Sequence, residues 1–158
     1  MIEKGIPVRL DEAQLQAVAR ALASTIGDGG IVYLIGDLGA GKTTFARAML
    51  QALGVGERVK SPTYSLIETY MTDTRAIHHL DLYRIGDPSE LEWLGLADLS
   101  TAVAVMLVEW PQRGLGALPA ADLHVQFEHA GERRDLTLHT ASARGHQWLQ
   151  RLSNAVTA

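Results

Sequence analysis

The 158-residue chain contains no cysteine. That removes disulfides, thiolate zinc sites, iron–sulfur clusters and cysteine nucleophiles together, and it suits a reducing compartment. Lysine is scarce as well, present only as Lys4, Lys42 and Lys60. Fourteen Lys plus Arg stand against eighteen Asp plus Glu, a formal net charge of −4. A chain of this sign has no general affinity for a phosphate backbone, so a part in nucleic-acid chemistry requires a local patch or a partner protein. No apolar run approaches the roughly 18 residues of a membrane span. Met1 to Leu10, interrupted by Glu3, Lys4 and Pro7, lacks the unbroken apolar core of a signal peptide. The expectation is a cytoplasmic protein with no membrane partner. The histidines show no ligand spacing such as H-E-x-x-H, and no zinc is expected.

What is present is ordinary globular material, 47% hydrophobic and 20% charged, enough for one domain over residues 1–158 and too little for two. Asp11 and Gln14 form an N-cap with a partial capping box, and Leu15, Val18, Ala19, Leu22 and Ile26 follow at helical spacing. Ile31–Ile35 is a short apolar run. After a glycine-rich turn, Phe45, Ala46, Met49, Leu50 and Leu53 return to helical spacing. Thr63 to Arg84 reads as two strands turning at Thr72–Thr74, and Pro88 opens a short helix through Trp93. Ala102–Val108 is unbrokenly apolar, as a strand covered on both faces of a parallel sheet must be. Leu123, Val125 and Phe127, then Leu136 and Leu138, alternate around a turn at Ala130–Arg134, which predicts an antiparallel hairpin. Trp148, Leu149 and Leu152 predict a last helix. The fold class is α/β: a central, mostly parallel mixed sheet is flanked by helices and carries a C-terminal antiparallel hairpin, and with the G-x-x-x-x-G-K-[ST] match at Gly36–Thr43 it is a single P-loop NTPase domain.

Between the first strand and its helix lies Gly36-Asp37-Leu38-Gly39-Ala40-Gly41-Lys42-Thr43, a match to G-x-x-x-x-G-K-[ST]. At ordinary residue frequencies about one random chain in two hundred would contain such a match, before strand and helix are also required around it. Small residues let backbone N–H groups of Asp37, Leu38, Gly39, Ala40, Gly41, Lys42, Thr43 and Thr44 face phosphate oxygens at a helix N-terminus. The Lys42 ammonium suits the β- and γ-phosphates, and the Thr43 hydroxyl suits magnesium. The guanine-reading N-K-x-D pattern is absent, which favours ATP over GTP.

Such a site needs an acid at a strand end to hold magnesium and a group to orient the attacking water. Asp81, after Ala76–Leu80, and Glu109, after the long apolar run, are the candidates. Asp81 is assigned to magnesium and Glu109 to water orientation or to assisting the metal, with the two roles exchangeable. An acid in either place could instead cap a helix or pair with a cation. In Ser61-Pro62-Thr63-Tyr64 the proline keeps Ser61 extended, and Thr63 offers a hydroxyl that could sense the γ-phosphate or simply enter a strand. Arg84 is expected to be mainly structural, paired with Asp81 or Asp87. Period two puts His79, Asp81 and Tyr83 on one strand face, with His79 a structural histidine. Trp110, next to Glu109, either meets the nucleotide or packs. The readings open to these residues are an ATPase, a small-molecule P-loop kinase and a nucleotide switch. The segment Asp73–Glu109 holds seven acids against Arg75 and Arg84, unsuited to RNA and suited to a protein partner; the insertion Thr72–Leu99, the natural place for a kinase lid, is acidic where such a lid carries arginines.

The phosphate loop through Thr44, Ser61-Pro62-Thr63-Tyr64, His79-Leu80-Asp81-Leu82-Tyr83-Arg84 and Glu109-Trp110-Pro111 together resemble the bacterial TsaE (YjeE) family in order and spacing, over most of the chain. The resemblance implies an ATPase of tRNA threonylcarbamoyladenosine biosynthesis, with ATP and Mg2+ as its cofactors and the TsaB and TsaD proteins as its partners. It implies contact with tRNA only through that complex. In the family the residues matching Lys42 and Thr43 bind phosphate and magnesium, that matching Thr63 belongs to a switch-like segment, and those matching Asp81 and Glu109 serve metal binding and hydrolysis. Gln112 departs from the pattern, since many members carry Glu there. No residue here is a clear arginine finger, a charge worth about 10³ to 10⁵ in rate, so hydrolysis by the protein alone is expected to be slow.

Overall fold

The long apolar run and the alternating hairpin occupy different positions in one sheet, and their patterns follow from those positions. The computed structural model describes residues 2–27, 29–56, 59, 66–99 and 103–157. In chain order the elements are β1 (Val8–Leu10), α1 (Glu12–Thr25), β2 (Gly30–Gly36), α2 (Lys42–Leu50), β3 (Ile67–Met71), β4 (Ala76–Asp81), α3 (Leu96–Leu99), β5 (Val105–Glu109), β6 (Leu123–Ala130), β7 (Arg133–Thr140) and α4 (Ala143–Thr157). The sheet order is β1-β7-β6-β2-β5-β4-β3. β6, β2, β5 and β4 run parallel, while β3, β7 and β1 add antiparallel edges. β5 is buried along its whole length between β2 and β4, which explains its lack of alternation. β6 has its alternating residues Leu123, Val125 and Phe127 inside.

Asp11 and Gln14 close a complete capping box, each side chain accepting from the other's backbone N–H, and α1 packs against α2 and α4. Val32, Leu34, Ile77, Val105 and Leu107 meet these three helices on one face of the sheet, with Phe45, Met49 and Trp148 inserted between. The opposite face, with Tyr33, Leu80, Met106 and Val108, is covered by α3 and by the 3-10 segment Pro88–Leu94. Asp122 ties the start of β2 to the start of α4: its carboxylate accepts from the Ile31 N–H at 2.9 Å and the Ser142 hydroxyl at 2.6 Å. Among the described residues no helix is long and apolar enough to cross a membrane.

β1 has no counterpart in the sequence reading. Three residues are too few to show a period, and β1 exists because β7 presents an open edge to it, clipped by the Arg9–Asp135 ion pair at 2.9 Å.

His78 lies on the α3 side of β4, 3% exposed, with Nδ1 2.9 Å from the Thr69 hydroxyl. Burial pushes its pKa below the ordinary 6.5, and a hydrogen bond with the Leu99 backbone pulls less strongly the other way. The unfolded chain therefore takes up a proton that the folded one refuses. Stability is at its full value above about pH 6.5 and falls as pH drops from there through the lowered folded-state pKa. In urea unfolding, His78→Asn should be less stable than wild type at pH 7.5, and the gap should narrow by pH 5.5. A gap that stays constant with pH would contradict this.

Candidate nucleotide site

β2, β4 and β5 are parallel, so their C-terminal ends open on one edge of the sheet, where ligands of such folds bind. β2 ends at Gly36 and the chain turns sharply into α2. Gly39 and Gly41 have φ of +76° and +104°, and a Cβ on Gly41 would stand 3.0 Å from Leu15 Cδ2. Both positions require glycine. Lys42 follows, 4% exposed. Its ammonium donates to the carbonyls of Gly36 at 2.5 Å and Asp37 at 2.8 Å and lies 4.4 Å from the centre of the Trp110 ring. Burial holds the Lys42 pKa below the usual lysine range, opposed by the charges of Glu109, Asp81 and Asp37.

Asp81 and Glu109 are register partners on β4 and β5, so their side chains leave the sheet on the same face, the face of α2. The Thr43 hydroxyl donates to Glu109 Oε1 at 2.9 Å, and Glu109 Oε2 meets His79 Nε2 at 2.6 Å. Glu109 is 2% exposed. His79 Nδ1 is buried without a partner. The neutral tautomer protonated at Nε2 leaves only a lone pair there and donates to Glu109, the less costly choice. Asp81 accepts from the Tyr83 N–H at 3.0 Å. Burial raises its pKa, with the Tyr83 hydrogen bond opposing. Trp110 is held in the left-handed region at φ 57°, rare for a bulky side chain, and its ring also meets Tyr83 at 5.0 Å.

These groups line a cleft of about 440 Å3. Of the residues picked out by sequence, Leu38, Gly39, Gly41, Lys42, Thr43, Thr44, Asp81, Glu109 and Trp110 line it, and Arg84 joins them. Asp37 contributes its carbonyl to Lys42, and Ala40, within the loop, is fully buried. Thr63, with Ser61-Pro62-Thr63-Tyr64, falls outside the described residues. The far wall was not read from the sequence: Glu12 and Leu15 come from α1, and Glu132 and Arg134 from the turn and first strand residues after β6. None of these four belongs to a local motif. The charged tip around Gly131 was the one available hint.

The donor chemistry fits magnesium with a nucleotide. A threonine hydroxyl and two carboxylates are hard oxygen ligands, and magnesium, which keeps several waters, needs only one or two from protein beside phosphates. Among the described residues no cage of three or more His, Asp or Glu side chains is formed.

Comparison with known proteins gives the family and the fold. The family model described as Threonylcarbamoyl adenosine biosynthesis protein TsaE matches residues 10–136. The tRNA threonylcarbamoyladenosine biosynthesis protein TsaE of Haemophilus influenzae is 44% identical over 124 residues, 78% of each chain. The protein of the same name from Bacillus subtilis is 34% identical over 141 residues, covering 89% of this chain and 88% of that one. The crystal structure of Bacillus subtilis YdiB superposes with a TM-score of 0.79 at 27% identity, over 99% of both chains.

Proposed function

Because the chain belongs to the TsaE family, we propose that it is the magnesium-dependent ATPase of tRNA threonylcarbamoyladenosine formation, working in the cytoplasm with TsaB and TsaD. In this reading it reaches tRNA only through them. The observation that carries the reading is the chain of contacts from the phosphate loop to β4, Thr43 to Glu109 to His79, beside a buried Lys42.

Each side chain then has a task. Lys42, held on two carbonyls and an aromatic face with no direct anionic partner among the described residues, would exchange those carbonyls for phosphate oxygens. The backbone N–H groups of residues 37–44 would bind the phosphates. Thr43 and Asp81, assisted by Glu109, would hold the metal, and magnesium-ATP supplies the phosphoryl group when bound. Glu109 orients the attacking water, kept in one rotamer by hydrogen bonds to both of its oxygens. Thr63 serves as the switch hydroxyl. Trp110 shields Lys42 from solvent.

The test is ATP turnover by the protein alone, with TsaB and TsaD, and with both plus unmodified tRNA, each beside a Lys42→Ala control. Slow turnover alone, raised by the partners and lost in the control, is the expected result. Intact ATP binding with no stimulation by the partners would overturn the assignment and direct attention to small phosphoryl acceptors.

A further inference from the structure

Resting on the nucleotide-binding reading above, we infer that the β6–β7 hairpin sets the conformation of the phosphate loop, with Arg134 and His129 as positioning residues for phosphate binding. The two are register partners across the hairpin. Arg134 Nη2 donates to the Gly39 carbonyl at 3.2 Å, and His129 Nε2 lies 3.2 Å from the Leu38 carbonyl. Two successive carbonyls at the loop's tip are thus taken up by one neighbouring turn.

The consequence follows from peptide geometry. In a planar trans peptide the C=O and the next N–H point in opposite directions. With the Leu38 carbonyl drawn to His129, the Gly39 N–H is turned away from the hairpin. With the Gly39 carbonyl drawn to Arg134, the Ala40 N–H is turned likewise, and it donates to the Asp37 carbonyl at 3.1 Å, which closes the loop. Gly39 sits at φ +76°, a conformation open to glycine but shared with many others in the unfolded chain, so an external anchor has something to select.

Arg134 is built for this. Its Nη1 donates to the carbonyls of Gly131 and Arg133, at 3.2 and 2.8 Å, which fixes the guanidinium against its own turn. Its stem crosses Gly41, where a Cβ would lie 3.9 Å from Arg134 Cγ. Its Nε is buried with no partner, a cost that the three carbonyl contacts offset. A lysine has one compact donor group and cannot span the Gly131, Arg133 and Gly39 carbonyls in this planar way. His129 is exposed, and its contact is the weaker of the two.

The experiment is calorimetric titration of magnesium-ADP and of a non-hydrolysable ATP analogue into the full-length wild type, Arg134→Ala, Arg134→Lys and His129→Ala, with thermal unfolding of each. Arg134→Ala should weaken both nucleotides by about tenfold, the scale of one charge-assisted hydrogen bond, and by similar factors, since the loop serves the phosphates that both nucleotides share. Arg134→Lys should not recover the loss, and His129→Ala should show about a threefold loss with unfolding unchanged. In turnover, KM for ATP should rise more than kcat falls. Unchanged affinity in Arg134→Ala, or full recovery by Arg134→Lys, would overturn the inference. A loss confined to the ATP analogue would also overturn it, because that marks direct contact with the γ-phosphate. If wild type itself binds neither nucleotide, the ATPase reading falls with it; if wild type binds and Arg134→Ala binds equally, this inference falls alone.

Discussion

Glu109→Gln is expected to slow ATP turnover by about 10²- to 10⁴-fold, the usual weight of a group that handles a proton or orients water, while ATP binding changes by only a few fold. Glutamine has nearly the volume of glutamate, so the buried pocket between Thr43 and His79 stays filled. What changes is charge and donor polarity. Glutamate offers two acceptors, one to the Thr43 hydroxyl and one to His79 Nε2. Glutamine offers one acceptor and one NH2 group, which must face either His79 or Thr43. Facing His79, it forces the ring to move its proton to Nδ1, a buried atom with no partner, where an unsatisfied N–H costs about 1–3 kcal/mol. Facing Thr43, it turns the hydroxyl around and leaves the metal side without its negative charge. Lys42 keeps its position on the Gly36 and Asp37 carbonyls in either case. Single-turnover hydrolysis beside ADP titration separates the two effects. A near-normal rate in the variant would remove Glu109 from the chemistry.

Trp148→Ala should cost about 3–5 kcal/mol of folding stability, the range for deleting a buried aromatic side chain. That is a large part of the 5–15 kcal/mol typical of a whole domain. Trp148 is 2% exposed and is among the largest fully buried side chains. It anchors α4 in the core shared with α1, α2 and the sheet. Its ring lies so close to Gly30 that any Cβ there would collide with it, so neighbouring groups cannot easily collapse into the space it leaves. Urea unfolding gives the stability directly. The folded fraction should keep the wild-type KM for ATP, since Trp148 lies outside the cleft. A loss below about 1 kcal/mol would mean that the cavity closes, against the tight contact at Gly30.

Glu109 was legible as a candidate because it ends an unbroken apolar run, and such a run can be buried on both faces only inside a parallel sheet. How it is held beside Asp81 was not legible. That came from register: β4 and β5 place the two acids side by side, and His79, two residues before Asp81 on the same face, reaches Glu109 and not Asp81. The expected structural role of His79 thus acquires a definite partner.

Local chemistry determined much of this protein from sequence alone. Gly39, Gly41, Lys42 and Thr43 specify a phosphate loop because only those backbone freedoms and side chains make one at that spacing. Asp11 and Gln14 specify a helix start, and the alternation at Leu123–Phe127 specifies a half-covered strand. Each of these signals acts within a few residues, so a linear reading reaches it. The tertiary structure decided what approaches the loop from far along the chain. β1 joins β7 across more than a hundred residues, α1 brings Glu12 and Leu15 to the cleft, and the hairpin lays Arg134 over Gly39. Those contacts depend on the order of strands in the sheet, and that order is settled by burial of all the elements at once, a cooperative sum that no single segment carries.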